Sequence, residues 1–212
     1  GPSSKYPGIE AHTVSRVTGS LWVNEWLCED GTPRGYVVAG VDGENLTWKF
    51  KPIAYQTAKA VGKVPAYTLR DYTLTSDGVA MRNGRKLDET YQLRAYPRGT
   101  YGDNYVYANV FMYDEAWGDV KFTSSKSGPV VMTKVSEKTK KYDAAYKEVF
   151  DFYKSAGSAL SSSSDFVLFN KSGEVANPVP HLFRCYSSAE SDSGTVTVTD
   201  RFGNEYSTTV SW

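Results

Sequence analysis

Two histidines are the only imidazole side chains in the 212-residue chain. A hydrolytic metal centre needs several histidines and carboxylates clustered in space. His12 and His181 lie near opposite ends of the sequence, and neither has a companion at the spacing of metal ligands. Each is therefore interpreted as a hydrogen-bonded structural histidine. The sequence predicts no metal ion and no other cofactor for this chain.

Nucleophilic and carboxylate chemistry find no better support. The chain contains neither a Gly-x-Ser-x-Gly elbow nor a Gly-x-x-x-x-Gly-Lys-Ser/Thr phosphate-binding loop. Cys28 and Cys185 are interpreted as ordinary thiols or as one long-range disulfide, and both alternatives stay open. Asp114 and Glu115 are adjacent, and neighbours on a strand point to opposite faces, so a solvated turn is favoured over a glycosidase pair. We predict no catalytic residue here.

Four tryptophans point to binding or packing rather than to catalysis. Rings exposed on one face of a sandwich can stack on sugars, whereas buried rings fill the space between elements. Packing is the favoured interpretation, because the sequence does not place the four rings on one face. The candidate binding or interface aromatics are Trp22, Trp26, Trp48 and Trp117.

The composition describes a domain without a strong charge. The chain has 24 basic and 24 acidic residues, which gives no electrostatic reason to expect nucleic acid or an anionic membrane as partner. No apolar run approaches the ~20 residues of a membrane-spanning helix. Residues 1–10 are polar and rich in proline and glycine, and we expect a flexible lead-in or a remnant of a tag. Residues 11–212 are expected to form a single domain.

The elements that must position these residues are mostly strands, and the segment from Asp30 to Pro52 predicts a β-hairpin. Its first strand carries β-branched and aromatic residues, and its second alternates apolar with polar ones, so that one face is apolar and the other wet. Asp42-Gly43 is a strong turn signal, because glycine adopts positive φ without steric cost. The apolar residues are Tyr36, Val37, Val38, Val41, Leu46, Trp48 and Phe50.

About ten short strands in all predict an all-β fold, an antiparallel β-sandwich. Tyr105–Tyr113 is the longest apolar run and is predicted to be a central strand, whereas Thr195–Asp200 is predicted to be a half-buried edge or surface strand. Asn83-Gly84 is a second hairpin turn. Val14, Val17, Leu21 and Trp22 are expected in the core. The remaining predicted strands are one or two within Ala11–Leu27, then Tyr67–Leu74, Tyr91–Tyr96, Val120–Thr123, Val130–Val135, Phe166–Phe169, His181–Ser187 and Tyr206–Trp212.

One helix is predicted near residues 139–155. An apolar stripe recurs at helical spacing, Thr139 or Asp143 can cap the start, and Gly157 is suited to the end. We expect the stripe to pack on the sandwich, because an isolated helix of about 15 residues is marginally stable in water. The alternative is that the stripe faces another domain. Its members are Tyr142, Tyr146, Val149, Phe150 and Tyr153.

Four segments in a fixed order carry a family resemblance. The hairpin segment with its Asp-Gly-x-Pro-x-Gly-Tyr stretch is preceded by VTGSLW (17–22). It is followed by YQLRAY with NVFMYDEAW (91–96 and 109–117), and then by HLFRCY with VTDRFGNEY (181–186 and 198–206). Together they resemble the C-terminal domain of bacterial, Bacteroides-type calcineurin-like phosphoesterases. Residues 58–86 and 155–177 are longer than this family leads us to expect and are interpreted as insertions.

The resemblance implies a non-catalytic accessory domain of a larger exported hydrolase, periplasmic or on the cell surface. This domain would pack on, or orient substrate for, the catalytic phosphoesterase domain of the same chain, which would hold a two-metal centre. The metal-binding motifs of that catalytic domain are Asp-x-His, Gly-Asp-x-x-Asp, Gly-Asn-His-Asp/Glu and Gly-His-x-His. None occurs here, so no catalytic residue carries over. The alternative function is a self-standing carbohydrate- or surface-binding sandwich, with a glycan as partner.

Overall fold

The computed structural model of the chain describes residues 12–15, 28–33, 35–52, 73–74, 80–82, 85–86, 92–136, 139, 141–147 and 179–212. Thirteen strands lie in this described part. They are β1 (Gly35–Asp42), β2 (Asn45–Pro52), β3 (Thr73–Leu74), β4 (Ala80–Arg82), β5 (Arg85–Lys86), β6 (Leu93–Tyr96), β7 (Tyr105–Val110), β8 (Lys121–Ser124), β9 (Val130–Val131), β10 (Thr133–Lys134), β11 (Leu182–Tyr186), β12 (Ser193–Thr199) and β13 (Glu205–Ser211).

Two four-stranded antiparallel sheets form the sandwich. One has the order β10-β11-β7-β6 and is called the β7 sheet; the other has the order β13-β12-β8-β9 and is called the β12 sheet. Alternate side chains of both sheets meet in one core, among them Val106, Val110, Phe122, Val196 and Val198. The predicted all-β antiparallel sandwich is confirmed. The hairpin β1-β2 and the small sheet β3-β4-β5 form sheets of their own.

The β7 strand lies inside its sheet, as its apolar run predicts. Side chains on one face enter the core, and those on the other face, Tyr107 and Asn109, are also buried. The strand ends at Val110 rather than at Tyr113. Met112 adopts a φ of 60°, and the N–H of Tyr113 donates to the oxygen of Val110 at 3.3 Å, so a turn replaces the end of the predicted strand.

Two strand predictions are wrong in placement. Val130–Val135 is not one strand, because its first part pairs with β8 and its last part with β11. Between them Met132 donates its N–H to Val120 and buries its side chain in the core, so the chain passes from one sheet to the other. Thr195–Asp200 was predicted as a half-buried edge or surface strand, and the edge alternative is wrong, because β12 is hydrogen-bonded on both sides, to β13 and β8.

The start of the predicted helix is confirmed at one of its two candidate caps. Residues 144–147 are helical, and the N–H of Tyr146 donates to Oδ1 of Asp143 at 2.8 Å, which is the geometry of an N-cap. Tyr146 is buried, so this member of the stripe is packed, whereas Tyr142 precedes the helix. Val149, Phe150, Tyr153 and the predicted end at Gly157 lie outside the described residues.

Hairpin β1-β2 forms as predicted, with its turn one residue later than the Asp42-Gly43 signal. Eight pairs run from Gly35 opposite Pro52 to Asp42 opposite Asn45, which leaves Gly43 and Glu44 as the turn. Gly43 has a φ of +59°, the first-position geometry of a type II′ turn. The apolar face is buried only at its base, where Phe50 lies. Near the turn, Val41 is 76% exposed and Leu46 54% exposed, so the expected contrast between an apolar and a wet face does not hold there.

Of the remaining predictions, one agrees with the structure, one is wrong, and several lie outside the described residues. β4 and β5 pair antiparallel with Arg82 opposite Arg85, as a hairpin turn at Asn83-Gly84 requires. Residues 12–15 have no regular structure, and Val14 is 37% exposed rather than in the core. Outside the described residues lie the lead-in, the strand at Phe166–Phe169, and most of Tyr67–Leu74 and of both predicted insertions. In the part of the chain that the structure describes, no helix is long and apolar enough to cross a membrane.

Candidate functional site

A buried polar network covers the face of the β7 sheet that points away from the core. Strand alternation directs core residues to one side and polar residues to the other. Across three strands, Leu182 lies opposite Asn109, and Asn109 lies opposite Arg94. Two irregular segments, 28–33 and 141–147, pack over this face and complete the network. We define the polar network as Asp30, Arg94, Tyr96, Asn109, Asp143 and His181.

Asp143 is the centre of the network. One carboxylate oxygen accepts hydrogen bonds from the Tyr96 hydroxyl and from Nδ2 of Asn109, the latter at 2.8 Å. The other caps the helix and lies 3.5 Å from Nη1 of Arg94. Both side chains of this ion pair are at most 1% exposed. A buried carboxylate is tolerated only when it is paired and hydrogen-bonded, and here both conditions are met. Burial and the charge of Asp143 raise the pKa of Tyr96 well above its usual value.

His181 connects the network to the segment before the hairpin. Its Nδ1 lies 2.6 Å from Oδ1 of Asn109, and its Nε2 lies 3.1 Å from Oδ2 of Asp30. Burial acts to raise the pKa of Asp30, but the hydrogen bond and charge of His181 and the N–H of Thr32 outweigh it, so the pKa is lowered. Asp30 is therefore a carboxylate with committed partners, and His181 is a hydrogen-bonded histidine.

Gly31 lets the turn approach the network closely. Its φ is +79°, and a Cβ atom added to it would lie 2.1 Å from Cγ of Asp143. Its carbonyl oxygen accepts a hydrogen bond from Nη1 of Arg94 at 3.1 Å. Only glycine meets both the backbone and the space requirement. The Asp-Gly pair at the start of the hairpin segment is thus a docking element that attaches the turn to the sheet.

The network does not fit a metal centre. The potential ligands Asp30, Asp143 and His181 are separated by the Asn109 amide, and the Arg94 guanidinium lies beside the central carboxylate. Within the described ranges no group of three or more His, Cys, Asp or Glu side chains could hold an ion. These residues do not fit the two-metal centre that the resemblance implies for the catalytic domain. The polar network can fix two loops and the start of a helix to one sheet.

A second cluster organises the turn between β12 and β13. Asp200 accepts hydrogen bonds from the N–H groups of Phe202 and Asn204 at 2.8 and 2.9 Å and from the Tyr206 hydroxyl at 2.9 Å. Burial opposes ionisation, but these donors and the Asn204 side chain prevail, and the pKa of Asp200 is lowered. We define the turn cluster as Asp114, Asp200, Arg201 and Tyr206.

The turn cluster corrects the prediction for Asp114. Its side chain is buried and forms an ion pair with Nη2 of Arg201 at 2.9 Å, so it does not belong to a solvated turn. Its neighbour Glu115 is exposed, as predicted, and pairs with Lys134. The guanidinium of Arg201 also lies over the Trp48 ring, 4.7 Å from the ring centroid. Arg201 therefore links the hairpin to the loop after β7.

The two described tryptophans among the candidates lie at and beside the turn between β12 and β13 and come from different elements. The Trp48 ring lies edge-on to Phe202 at 4.7 Å and near His12 at 4.4 Å. The Trp117 ring stacks on Tyr206 at 5.9 Å and packs against the core. Trp22 and Trp26 lie outside the described residues. A binding or interface role for the four stays a prediction.

No disulfide joins Cys28 and Cys185. Cys185 is buried on the core side of β11, and burial raises the pKa of its thiol to about 11. A thiol in that state is not a thiolate nucleophile at neutral pH. Of the two alternatives that the sequence left open, the structure has the unbonded one.

The comparison with known families decides what this arrangement belongs to. Residues 11–206 match the family model described as the C terminal of calcineurin-like phosphoesterase. The chain belongs to this family. No curated protein matches the chain, and no solved structure does.

The segments by which this C-terminal domain resembles its family also supply most of the polar network and the whole turn cluster. Asp30 and Gly31 come from the hairpin segment, Arg94 and Asn109 from the next, and His181 from the last. The turn cluster comes from NVFMYDEAW and VTDRFGNEY. The family pattern in this chain therefore coincides with residues that hold loops on the sandwich.

Sequence analysis missed the polar network as a unit. Its signal was present: Arg94 and Asn109 are polar residues on strands that otherwise consist of apolar and aromatic side chains. A polar side chain on the covered face of a central strand must be hydrogen-bonded, so each indicates a buried partner. The partners Asp30 and Asp143 are far away in sequence, and no spacing rule connects them.

Proposed function

We propose that this domain is a non-catalytic accessory domain that packs on the catalytic phosphoesterase domain of the same polypeptide and there helps to orient substrate. Membership in the C-terminal family supports the partner. In the described residues, the buried carboxylates, histidine and arginines are engaged in holding the fold. The chemistry is accordingly assigned to the partner. In the same proposal, the catalytic domain holds the two-metal centre, and the polypeptide is an exported bacterial hydrolase, periplasmic or on the cell surface.

The observation that carries the packing half of the proposal is the projecting hairpin. Its base is attached to the sandwich: Nε2 of Gln92 donates to the oxygen of Phe50 at 2.9 Å, and Trp48 contacts the turn cluster. Along its length it leaves apolar side chains exposed on both faces. A two-stranded ribbon alone is marginally stable, and such an apolar patch marks an interaction site. The exposed side chains are Tyr36, Val38, Val41 and Leu46.

A binding experiment tests this contact. The catalytic domain of the polypeptide is produced separately and titrated with the wild-type domain and with the double variant Val41→Lys/Leu46→Lys. We expect the wild type to bind and the variant to lose binding, because two charges would have to be desolvated in the interface. The matched control is Val130→Lys/Val131→Lys on the exposed strand β9, which should bind as the wild type does. Equal binding by wild type and hairpin variant would rule out the hairpin as the contact.

An activity assay tests the non-catalytic half. The purified domain is incubated with a chromogenic phosphodiester and Mn²⁺, and no turnover above the buffer blank is expected. Turnover that disappears on addition of a chelator would contradict the proposal, because it would require a metal centre within this chain.

A further inference from the structure

We infer that the exposed end of the outer face of the β7 sheet binds a phosphorylated sugar, with two tyrosine rings contacting the sugar and two arginines contacting the phosphate. The site lies past the polar network on the same face. We define this tyrosine–arginine surface as Arg98, Tyr105, Arg184 and Tyr186.

The ring half of the surface is set by strand pairing. Tyr186 of β11 lies directly opposite Tyr105 of β7, and both point away from the core. Their ring centroids are 5.7 Å apart at an interplanar angle of 78°. Tyr105 is half-buried, which fixes it, whereas Tyr186 is 60% exposed and presents its ring to solvent. Such a ring carries a large apolar area at small entropic cost and suits the apolar face of a sugar.

The anion half consists of two guanidinium groups, one stacked on a ring of the pair and one attached to the backbone next to Tyr186. That of Arg184 lies over the Tyr105 ring, 4.4 Å from its centroid. Arg98 donates from Nε to the backbone oxygen of Ser187 at 3.2 Å, beside Tyr186. Stacking and hydrogen bonding hold both groups in place, as binding of a planar or tetrahedral anion requires.

The charge of these two arginines is not neutralised locally. Across the described residues, Arg94 and Arg201 have carboxylate partners, whereas Arg98 and Arg184 form no ion pair. The carboxylate of Asp103, which lies beside Tyr107 on this face, is already engaged by Lys141 at 3.3 Å and by the Tyr107 hydroxyl at 2.7 Å. The surface therefore keeps an excess of positive charge, which complements an anion.

The combination selects the ligand class. Rings alone would suit a neutral sugar, and arginines alone would suit inorganic phosphate. Their combination favours a sugar ring that carries a phosphate group. This inference deepens the proposed function, because a phosphoesterase requires a phosphoester substrate and the surface would hold such a substrate for the catalytic domain. The binding itself needs only this chain.

The test is a calorimetric or NMR titration of the isolated domain at low salt with glucose 1-phosphate, glucose and inorganic phosphate as separate probes. We expect saturable binding of glucose 1-phosphate and weaker binding of the other two. Arg184→Gln should weaken binding of glucose 1-phosphate about tenfold or more, since a charge-assisted contact is lost. Tyr186→Ala should weaken it roughly threefold or more. Because Tyr186 is mostly exposed, this variant should keep the wild-type melting temperature.

Matched controls remove the same groups elsewhere. Lys121→Gln on the β12 sheet removes a positive charge, and Tyr36→Ala on the hairpin removes an exposed ring. Both should bind as the wild type does. The inference would be overturned if glucose 1-phosphate did not bind, or if Arg184→Gln and Tyr186→Ala bound it as tightly as the wild type does. Inorganic phosphate binding as tightly as glucose 1-phosphate would also overturn it. Glucose binding as tightly as glucose 1-phosphate would overturn it too, and would favour a carbohydrate-binding module. None of these results depends on the catalytic domain, so a failure here leaves the packing proposal standing.

Discussion

Nδ1 of His181 lies 2.6 Å from Oδ1 of Asn109, and this contact fixes the protons of the polar network. Nδ2 of Asn109 lies 2.7 Å from the backbone oxygen of Asp30 and 2.8 Å from Oδ2 of Asp143, and both of these atoms only accept hydrogen bonds. The amide nitrogen must therefore point to them, and its oxygen must point to His181. Nδ1 of His181 is accordingly the donor in this contact.

The first prediction is that Nδ1 of His181 carries a proton. The Asn109 oxygen that faces it only accepts, so an unprotonated Nδ1 would set two acceptors against each other at 2.6 Å. On the other side of the ring, Nε2 faces the carboxylate of Asp30 at 3.1 Å. Long-range ¹H–¹⁵N NMR should show a protonated Nδ1 for His181. A tautomer with an unprotonated Nδ1 would contradict the assignment.

The second prediction concerns the buried ion pair. Asp143→Ala leaves the Arg94 guanidinium buried without its carboxylate and removes the helix cap, so the free energy of unfolding should fall by about 3–5 kcal/mol. Urea denaturation measures it. The control is Glu115→Ala, which breaks the exposed pair with Lys134 and should cost at most about 1 kcal/mol. Similar losses in both variants would mean that the buried pair adds nothing beyond a surface one.

The third prediction separates backbone strain from steric overlap at two glycines. Gly43 has a φ of +59° and open space around its Cβ position, so Gly43→Ala should cost about 1–2 kcal/mol through backbone strain alone. Gly31→Ala adds a methyl group 2.1 Å from Cγ of Asp143 at a similarly positive φ. It should cost clearly more, because the polar network must also move. Equal melting temperatures for the two variants would show that the turn carrying Gly31 is not docked as described.

The fourth prediction is a pH dependence of stability from Asp200. Its folded pKa lies below the unfolded value of about 3.9, so its contribution is complete above that value and is lost as the pH falls through the folded pKa. Asp200→Asn should lower the free energy of unfolding by about 1.5–3 kcal/mol at pH 7. The difference from wild type should shrink below about pH 4. Asp42→Asn in the exposed hairpin should change stability by no more than about 0.5 kcal/mol at either pH. A difference for Asp200→Asn that persists unchanged at pH 3 would count against the ionised turn.

Local sequence pattern was sufficient to predict those features of the structure that depend on neighbouring residues in the chain. The apolar run that contains β7 predicted a central strand, and the Asp42-Gly43 signal predicted the hairpin within one residue of its turn. The Asp143 cap followed from residue type and position. Each of these is a property of a few consecutive residues, and side-chain alternation or backbone preference determines it.

Sequence pattern led to wrong predictions where the burial or pairing of a residue depends on segments that are distant in the chain. Asp114 was expected in solvent, and the residue that buries it, Arg201, is 87 positions later in the chain. The segment from Val130 reads as one strand, because sequence shows which residues extend but not which sheet each pairs with. Val41 and Leu46 belong to an apolar stripe whose outer end finds no cover within the described residues.

By itself the sequence determined the class of the molecule: an antiparallel sandwich, its hairpin, a capped helix start, and the family to which its ordered segments belong. Only the tertiary structure decided which polar groups meet. Asp30 and His181 are 151 residues apart, and they come within 3.1 Å because the β7 sheet and the docked turn bring them together. The physical reason is that strand patterns arise from local alternation, whereas a buried polar group is stable only beside a partner that the whole fold must deliver.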